Sequence, residues 1–174
     1  DRLHVTLGSQ VQYHSGIGAG VQPTARVMWK AQTSHRLWAA VSRALRTPSL
    51  ADRGIRVDYP PEAAEGGLPL YVTAIGNADA ENEAFVDAEA GYRVEIGTVA
   101  VIDVTGFAGR YSNLVTIELA APVVQLEPSP RIVATSRLGN QLTAMTRGIE
   151  VAARWTLRPG LQADGSYSVF HLSP

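Results

Sequence analysis

Few side chains in this sequence stand where they could do chemistry. Its one glycine-rich loop, "GIGAG" at residues 16–20, could offer backbone amides to a phosphate. The loop lacks the G-x-G-x-x-G spacing and no amphipathic helix starts after it, so a plain loop is the better reading. His4, His14, His35 and His171 fall at no H-x-H or H-x-x-x-H spacing, and no metal site is expected. Ser15 follows His14, but sequence neighbours point apart, and no G-x-S-x-G elbow exists. The absence of cysteine removes thiolate nucleophiles, thiolate metal sites and disulfides. Glu81 with Glu83, or Asp87 with Glu89, would share a face in an extended segment. A catalytic acid needs a carboxyl whose pKa burial has raised, and only Phe85 and Val86 offer apolar cover there. The chain therefore reads as non-enzymatic, with no cofactor implied.

Charge is balanced overall, at a formal −1, yet unevenly spread. Asp79, Glu81, Glu83, Asp87 and Glu89 occupy a stretch without Lys or Arg, while Arg36, Arg43, Arg46, Arg53 and Arg56 gather around a single acid, Asp52. Nucleic-acid binding would need a basic groove interleaved with aromatics. Trp38 belongs instead with apolar neighbours, and no sequence-specific nucleic-acid partner is expected. The segregation would suit charged rims on a self-assembling subunit. An acidic solvated loop and an ordinary basic helix face are the favoured account of it.

The elements that must position these groups follow from periodicity. A chain of 174 residues and 45% hydrophobic content suits a single domain over 1–174, burying roughly 70% of its unfolded surface. No run approaches the ~18 apolar residues of a membrane helix, and no signal-peptide pattern opens the chain, so no membrane partner is expected. A start at Asp1 leaves room for a missing or processed N-terminus. "RLHVTL" alternates, placing Leu3, Val5 and Leu7 on one face of a half-buried strand, and residues 1–32 form a β extension or arm. Leu37, Trp38, Val41 and Leu45 recur at helical spacing in "TSHRLWAAVSRALR", predicting the principal helix at 33–46, capped by Thr33 or Ser34 and closed by Pro48.

After Gly54 strands dominate: "IRVDY", "LYVTAI", "YRVEI", "VAVIDV", "NLVTIEL", "VVQL", "RIVATS", "GIEVAARWTL" and "SYSVFHL". Residues 138–146 are ambiguous between a short helix and an irregular connection. The fold class expected is α+β, a mostly antiparallel β-sheet (or sandwich) packed against that one helix.

In "RVDYPPEAAEGGLPLYV" the strand ending at Tyr59 must stop or lie on an edge, because Pro60 and Pro61 cannot donate to a ladder. A polar crossing follows, with Gly66-Gly67 supplying positive φ, and Pro69 starts the next strand. This order of helix, Tyr/Pro loop, Leu-Pro strand start and acidic excursion before "YRVEI" resembles the tail-terminator, neck and tail-completion proteins of long-tailed bacteriophages over residues 33–104. The matching segments are Leu37 to Leu45, Val57 to Pro61 and Leu68 to Val72. The chain departs from that pattern in lacking a second helix and in carrying residues 1–32.

The resemblance implies a structural virion protein made in the host cytoplasm and placed at the tail or neck. It would form a homo-oligomeric ring, of sixfold symmetry, against the neighbouring tail-tube and head-connector proteins. Candidate subunit-interface residues are Arg36, Arg43 and Arg46 on one patch, Asp79, Glu81, Glu83, Asp87 and Glu89 on its complement, and Tyr59, Pro60 and Pro61 between them. The alternatives are a tail-tube or other virion connector subunit, and a monomeric β-rich ligand-binding module using 76–91 or the GIGAG loop.

Overall fold

The computed structural model describes residues 2–63 and 67–174. Their alternation of apolar and polar residues builds long strands: β1 (Leu3–His14), β2 (Gly18–Gln32), β3 (His35–Arg46), β7 (Glu83–Ile96), β8 (Ala100–Leu119), β10 (Arg131–Arg158) and β11 (Leu161–Ser173). Each pairs antiparallel with the next in that order, giving a meander. Turns at 33–34, 97–99 and 159–160 close one end tightly; Gly160, at φ 82°, takes the left-handed backbone the last of these needs. The other end has the short turn 15–17 but also the long connections 47–82 and 120–130.

Those connections carry the remaining elements. After β3 come the helix α1 (Leu50–Gly54) and the short strands β4 (Arg56–Asp58), β5 (Glu62–Ala63) and β6 (Pro69–Ile75); β9 (Val123–Gln125) lies between β8 and β10. Both β4 and β5 pair antiparallel with β6, which runs parallel to the start of β10. The excursion thus leaves β3, passes its neighbours β7 and β8, docks on β10, and returns to begin β7. Among the described residues the strands form one sheet of 11, curled into part of a barrel.

The expected principal helix at 33–46 is a strand. A spacing of four residues is a multiple of both the helical near-repeat and the strand's period of two, so Leu37, Val41 and Leu45 share a face in either conformation. Trp38 separates the two readings. It lies on the opposite face from Leu37, directly across from Gly91, where a β-carbon would fall 2.4 Å from its ring. Thr33 and Ser34 form the β2–β3 turn instead of a cap. Beyond Pro48, Ser49 caps the five-residue α1, accepting from the Asp52 amide while Asp52 accepts from the Ser49 amide. Residues 138–146 continue β10, with register shifts between Gly139 and Ala144 opposite Asn113 of β8, whose φ is +57°.

The sheet has no conventional core to pack against a helix. Its exposed surface is 12064 Å², whereas a compact monomer of 18.6 kDa would expose about 8,200 Å². Among the described residues only Ala80, Ala100 and Ala144 count as buried hydrophobics, while Leu3, Val5 and Leu7, expected to face a core, are 59%, 63% and 77% exposed. Along β7 the pattern runs inside out: Val86, Ala88, Ala90 and Tyr92 are exposed, and Asp87, Glu89 and Gly91 are half-buried.

Candidate functional site

Register turns that alternation into two continuous surfaces. Leu3, Trp29, Leu37, Tyr92, Val104, Val151 and Tyr167 stand directly opposite one another across all the long strands, forming one apolar row. Every member is at least 37% exposed. One residue along, on the other face, the row reads His4, Met28, Trp38, Gly91, Thr105, Glu150 and Ser168. Strands of 12 to 15 residues in β1, β2, β3 and β7 exceed the roughly 9–11 tilted residues that cross a bilayer. On the apolar face Trp29, Tyr92 and Trp155 gather toward the tight turns, where His35 stacks on Tyr92 with ring centroids 5.9 Å apart. Such aromatics suit a membrane–water interface.

The polar face carries the ionic groups. Near the tight turns, Arg36 pairs with Glu95, Arg93 forks onto Asp103 at 2.6 and 3.1 Å, and Arg154 meets Asp164 at 2.6 Å. These pairs border a depression of about 410 Å³ that also includes Ser166. They are partly exposed, so each contributes about 0.2–1 kcal/mol; their main effect is to hold side chains in register. Farther along, the Ser42 hydroxyl donates to Asp87 at 2.5 Å, and Arg26 lies 5.8 Å above the Trp38 ring.

At the long-connection end the excursion is tied across the strand ends by polar bonds. Asn140 accepts from the Glu81 amide (3.0 Å), Asn113 donates to the Glu81 carboxylate (2.8 Å), and Glu83 accepts from the Val115 amide (2.9 Å). Arg137 donates to Asn77 at 3.0 Å, and Arg53 forks onto the Ala78 carbonyl at 3.1 and 2.7 Å. A polar recess of about 540 Å³ opens beside Asp79, Glu81, Glu118 and Arg137. The Ser49 amide holds the Asp52 carboxyl below its ordinary pKa, and Arg56, with help from Thr73, does the same for Asp58. Bond donors and acceptors here can recognise a polar ligand. No cluster of metal-ligating side chains occurs among the described residues.

The interface candidates from the sequence are therefore distributed differently from the two patches expected. Arg36 and Arg46 face the polar side, whereas Arg43 points to the apolar side and donates to the Val21 carbonyl at 2.9 Å. Glu83, Asp87 and Glu89 are strand residues of β7, and only Asp79 and Glu81 lie in the crossing. Because β3 pairs with β7, the basic and acidic stretches meet within one chain: Arg46 contacts Glu83 at 2.7 Å and Asp52 at 3.7 Å. Tyr59 donates its amide to Val72, and Pro60 and Pro61 sit exposed between β4 and β5. Gly67 has φ 77°; Gly66 lies outside the described residues. Arg93, Glu95, Asp103, Glu150, Arg154 and Asp164 were missed. Their signal was that these charges fall at alternate positions of one parity, as Arg93 and Glu95 or Glu150 and Arg154 do, with mostly apolar residues between them.

A curled antiparallel sheet, apolar outside and ionic inside, with tight turns at one end and long connections at the other, is wall of a membrane-spanning β-barrel. The family model described as "TonB dependent receptor-like, beta-barrel" matches residues 1–171, and the chain belongs to that family. Among solved structures it is similar to the siderophore receptor PirA of Pseudomonas aeruginosa (TM-score 0.76, 18% identity, 99% of this chain and 32% of that one). It also resembles a mutant of the ferric enterobactin receptor PfeA from the same organism (0.80, 18%, 97% and 24%) and the FrpB iron transporter of Neisseria meningitidis (0.63, 19%, 99% and 24%). The chain thus spans about a quarter to a third of these proteins. No curated protein matches it.

These findings overturn the phage tail-terminator resemblance, and with it the virion location, the ring assembly and the tail-tube and head-connector partners. The expectation of no membrane partner also fails. No helix is long and apolar enough to cross a bilayer, but a strand crosses with far fewer residues, of which only alternate ones need be apolar. Membership of a receptor family agrees with the non-enzymatic reading.

Proposed function

We propose that the chain is wall of an outer-membrane, TonB-dependent receptor that takes up a ferric siderophore or a similar iron chelate. The carrying observation is the row from Leu3 to Tyr167, apolar across every long strand, set back to back with the polar face that carries Arg36, Arg93, Asp103, Glu150 and Arg154. Lipid satisfies the first surface and a water-filled or protein-filled lumen the second. The tight turns then face the periplasm, and the excursion 47–82 and connection 120–130 face outward, where they form part of the ligand's entry surface. Of the sequence alternatives, the β-rich ligand binder stands nearest to this reading. The iron-chelate class rests on the names of PirA, PfeA and FrpB.

The test is uptake of iron-55 siderophores by the native bacterium, with and without the gene for the full receptor, and with the proton gradient collapsed. Uptake should need both the gene and the gradient. Unchanged uptake of every ferric siderophore offered, with the protein present in outer membranes, would remove the iron-chelate assignment.

A further inference from the structure

The polar recess at the long-connection end has a charge balance that barrel formation does not require. Asp79, Glu81 and Glu118 bring three carboxylates to its border, and Arg137 brings the one guanidinium. Arg137 stands directly opposite Glu118 in the β8–β10 register, yet no ion pair joins them among the described residues. Arg137 turns instead to the Asn77 side-chain oxygen at 3.0 Å, and Glu118 accepts from the Thr116 hydroxyl at 3.1 Å. Gly139, buried in β10, permits this arrangement, because a β-carbon there would collide with the Glu118 carboxylate. The carboxylate is laid over bare backbone, with its charge facing the recess rather than a neighbouring cation.

Neutral donors hold these acids without cancelling their charge. Asn113 donates to Glu81 as Thr116 does to Glu118, and the Asp79 carboxylate has no bonded partner among the described residues. Other arginines at this end are committed elsewhere: Arg46 to Glu83, Arg56 to Asp58, and Arg53 to the Ala78 carbonyl. A second hollow, of about 500 Å³, shares Asp79, Glu81 and Asn113 with the recess and adds Asn82. The Asn82 side-chain oxygen is buried and has no hydrogen-bond partner among the described residues. A buried acceptor left unmet is costly, and a ligand N–H relieves it. The two joined hollows therefore offer many acceptors, little free positive charge, and one acceptor that still lacks a donor.

We infer that these hollows bind a protonated amine carried by the iron chelate, so that the receptor favours amine-bearing chelates over anionic ones. Asp79 and Glu81, which border both hollows, are the principal partners of the ammonium, with Glu118 and Asn82 flanking it. An ammonium has three donors and no acceptor, which matches this lining. An anionic chelate meets like charge at the same place and is repelled. The inference rests on the receptor reading, which puts this end outside the cell and gives it an iron chelate to recognise.

The full receptor, purified in detergent, is titrated with iron-55 ferrioxamine B, whose free amine is protonated at neutral pH. Its N-acetyl and N-succinyl derivatives, titrated alongside, keep the iron core and make that end neutral or anionic. Affinity should fall in that order, and the spread should narrow as salt is raised. D79N/E118Q should weaken ferrioxamine B binding about two- to fivefold per carboxylate removed and leave the acetyl derivative unchanged. G139A, which keeps every charge but displaces the Glu118 carboxylate, should weaken it too; it keeps the test decisive if the double variant does not fold. Equal affinity for the three chelates, or no loss in the folded variants, overturns the inference. Spermidine and citrate, added without iron, separate it from the receptor reading. Spermidine held in preference to citrate, with no chelate bound, removes the iron-chelate assignment and keeps the amine site; chelates bound without regard to charge do the reverse, and binding of none of these probes overturns both.

Discussion

Arg46, near the end of β3, faces Glu83, at the start of β7, in direct register, and their side chains meet at 2.7 Å. The same Glu83 carboxylate accepts from the Val115 amide on β8, while Arg46 also reaches Asp52 of α1. This one pair therefore joins β3, β7, β8 and the root of the crossing segment. Removing Glu83 leaves an amide unpaired as well as a cation, so Glu83→Ala should destabilise the folded barrel more than Arg46→Ala. A double-mutant cycle in urea with lipid-bound protein should return a coupling of about 0.5–1 kcal/mol, since Arg46 is 58% exposed. A coupling near zero would show that the contact carries no stability.

The mid-band of the lipid face should reject charge that the neighbouring polar face accepts. Ala90→Arg should cost about 2–4 kcal/mol of folding free energy in liposomes. Glu89→Arg, one residue along and facing the lumen, should cost far less. Equal costs at the two positions would contradict the assignment of faces.

Gly91 is required by the Trp38 ring across from it. A β-carbon there would sit 2.4 Å from the indole, so Gly91→Ala should destabilise by about 1–3 kcal/mol through overpacking. Trp38→Leu in the same chain should recover much of the loss, read as the denaturant midpoint.

Acid should loosen the base of the excursion. Asp52 and Asp58 have carboxyl pKa values depressed in the folded state, by the Ser49 amide and by Arg56 respectively. A depressed pKa contributes stability above the unfolded-state value, near pH 4, and that contribution disappears as pH falls through the lower, folded-state value. Hydrogen exchange at residues 50–58 should therefore accelerate below about pH 4. Asp52→Asn should exchange faster at neutral pH and show a flatter acid response.

Much of the strand content was legible. "GIEVAARWTL" and "RLHVTL" alternate where parts of β10 and β1 lie, although both strands run well beyond those segments, and β6 begins at Pro69. The segment 33–46 was not, because Leu37, Val41 and Leu45 satisfy two periods at once. The lumen ladder from Arg36 to Asp164 was hidden for a different reason. Its members are far apart in sequence and become neighbours only when β3, β7, β8, β10 and β11 pair.

By itself the sequence determined that most of the chain is made of two-faced strands and that no familiar catalytic arrangement is present. Only the tertiary structure decided what the apolar face touches. Alternation records that one side of a strand avoids water, and a protein core and a lipid tail meet that demand equally well. The pairing of β6 with β10, and the curl that puts Glu89 inside and Ala90 outside, had to be seen before the two could be told apart.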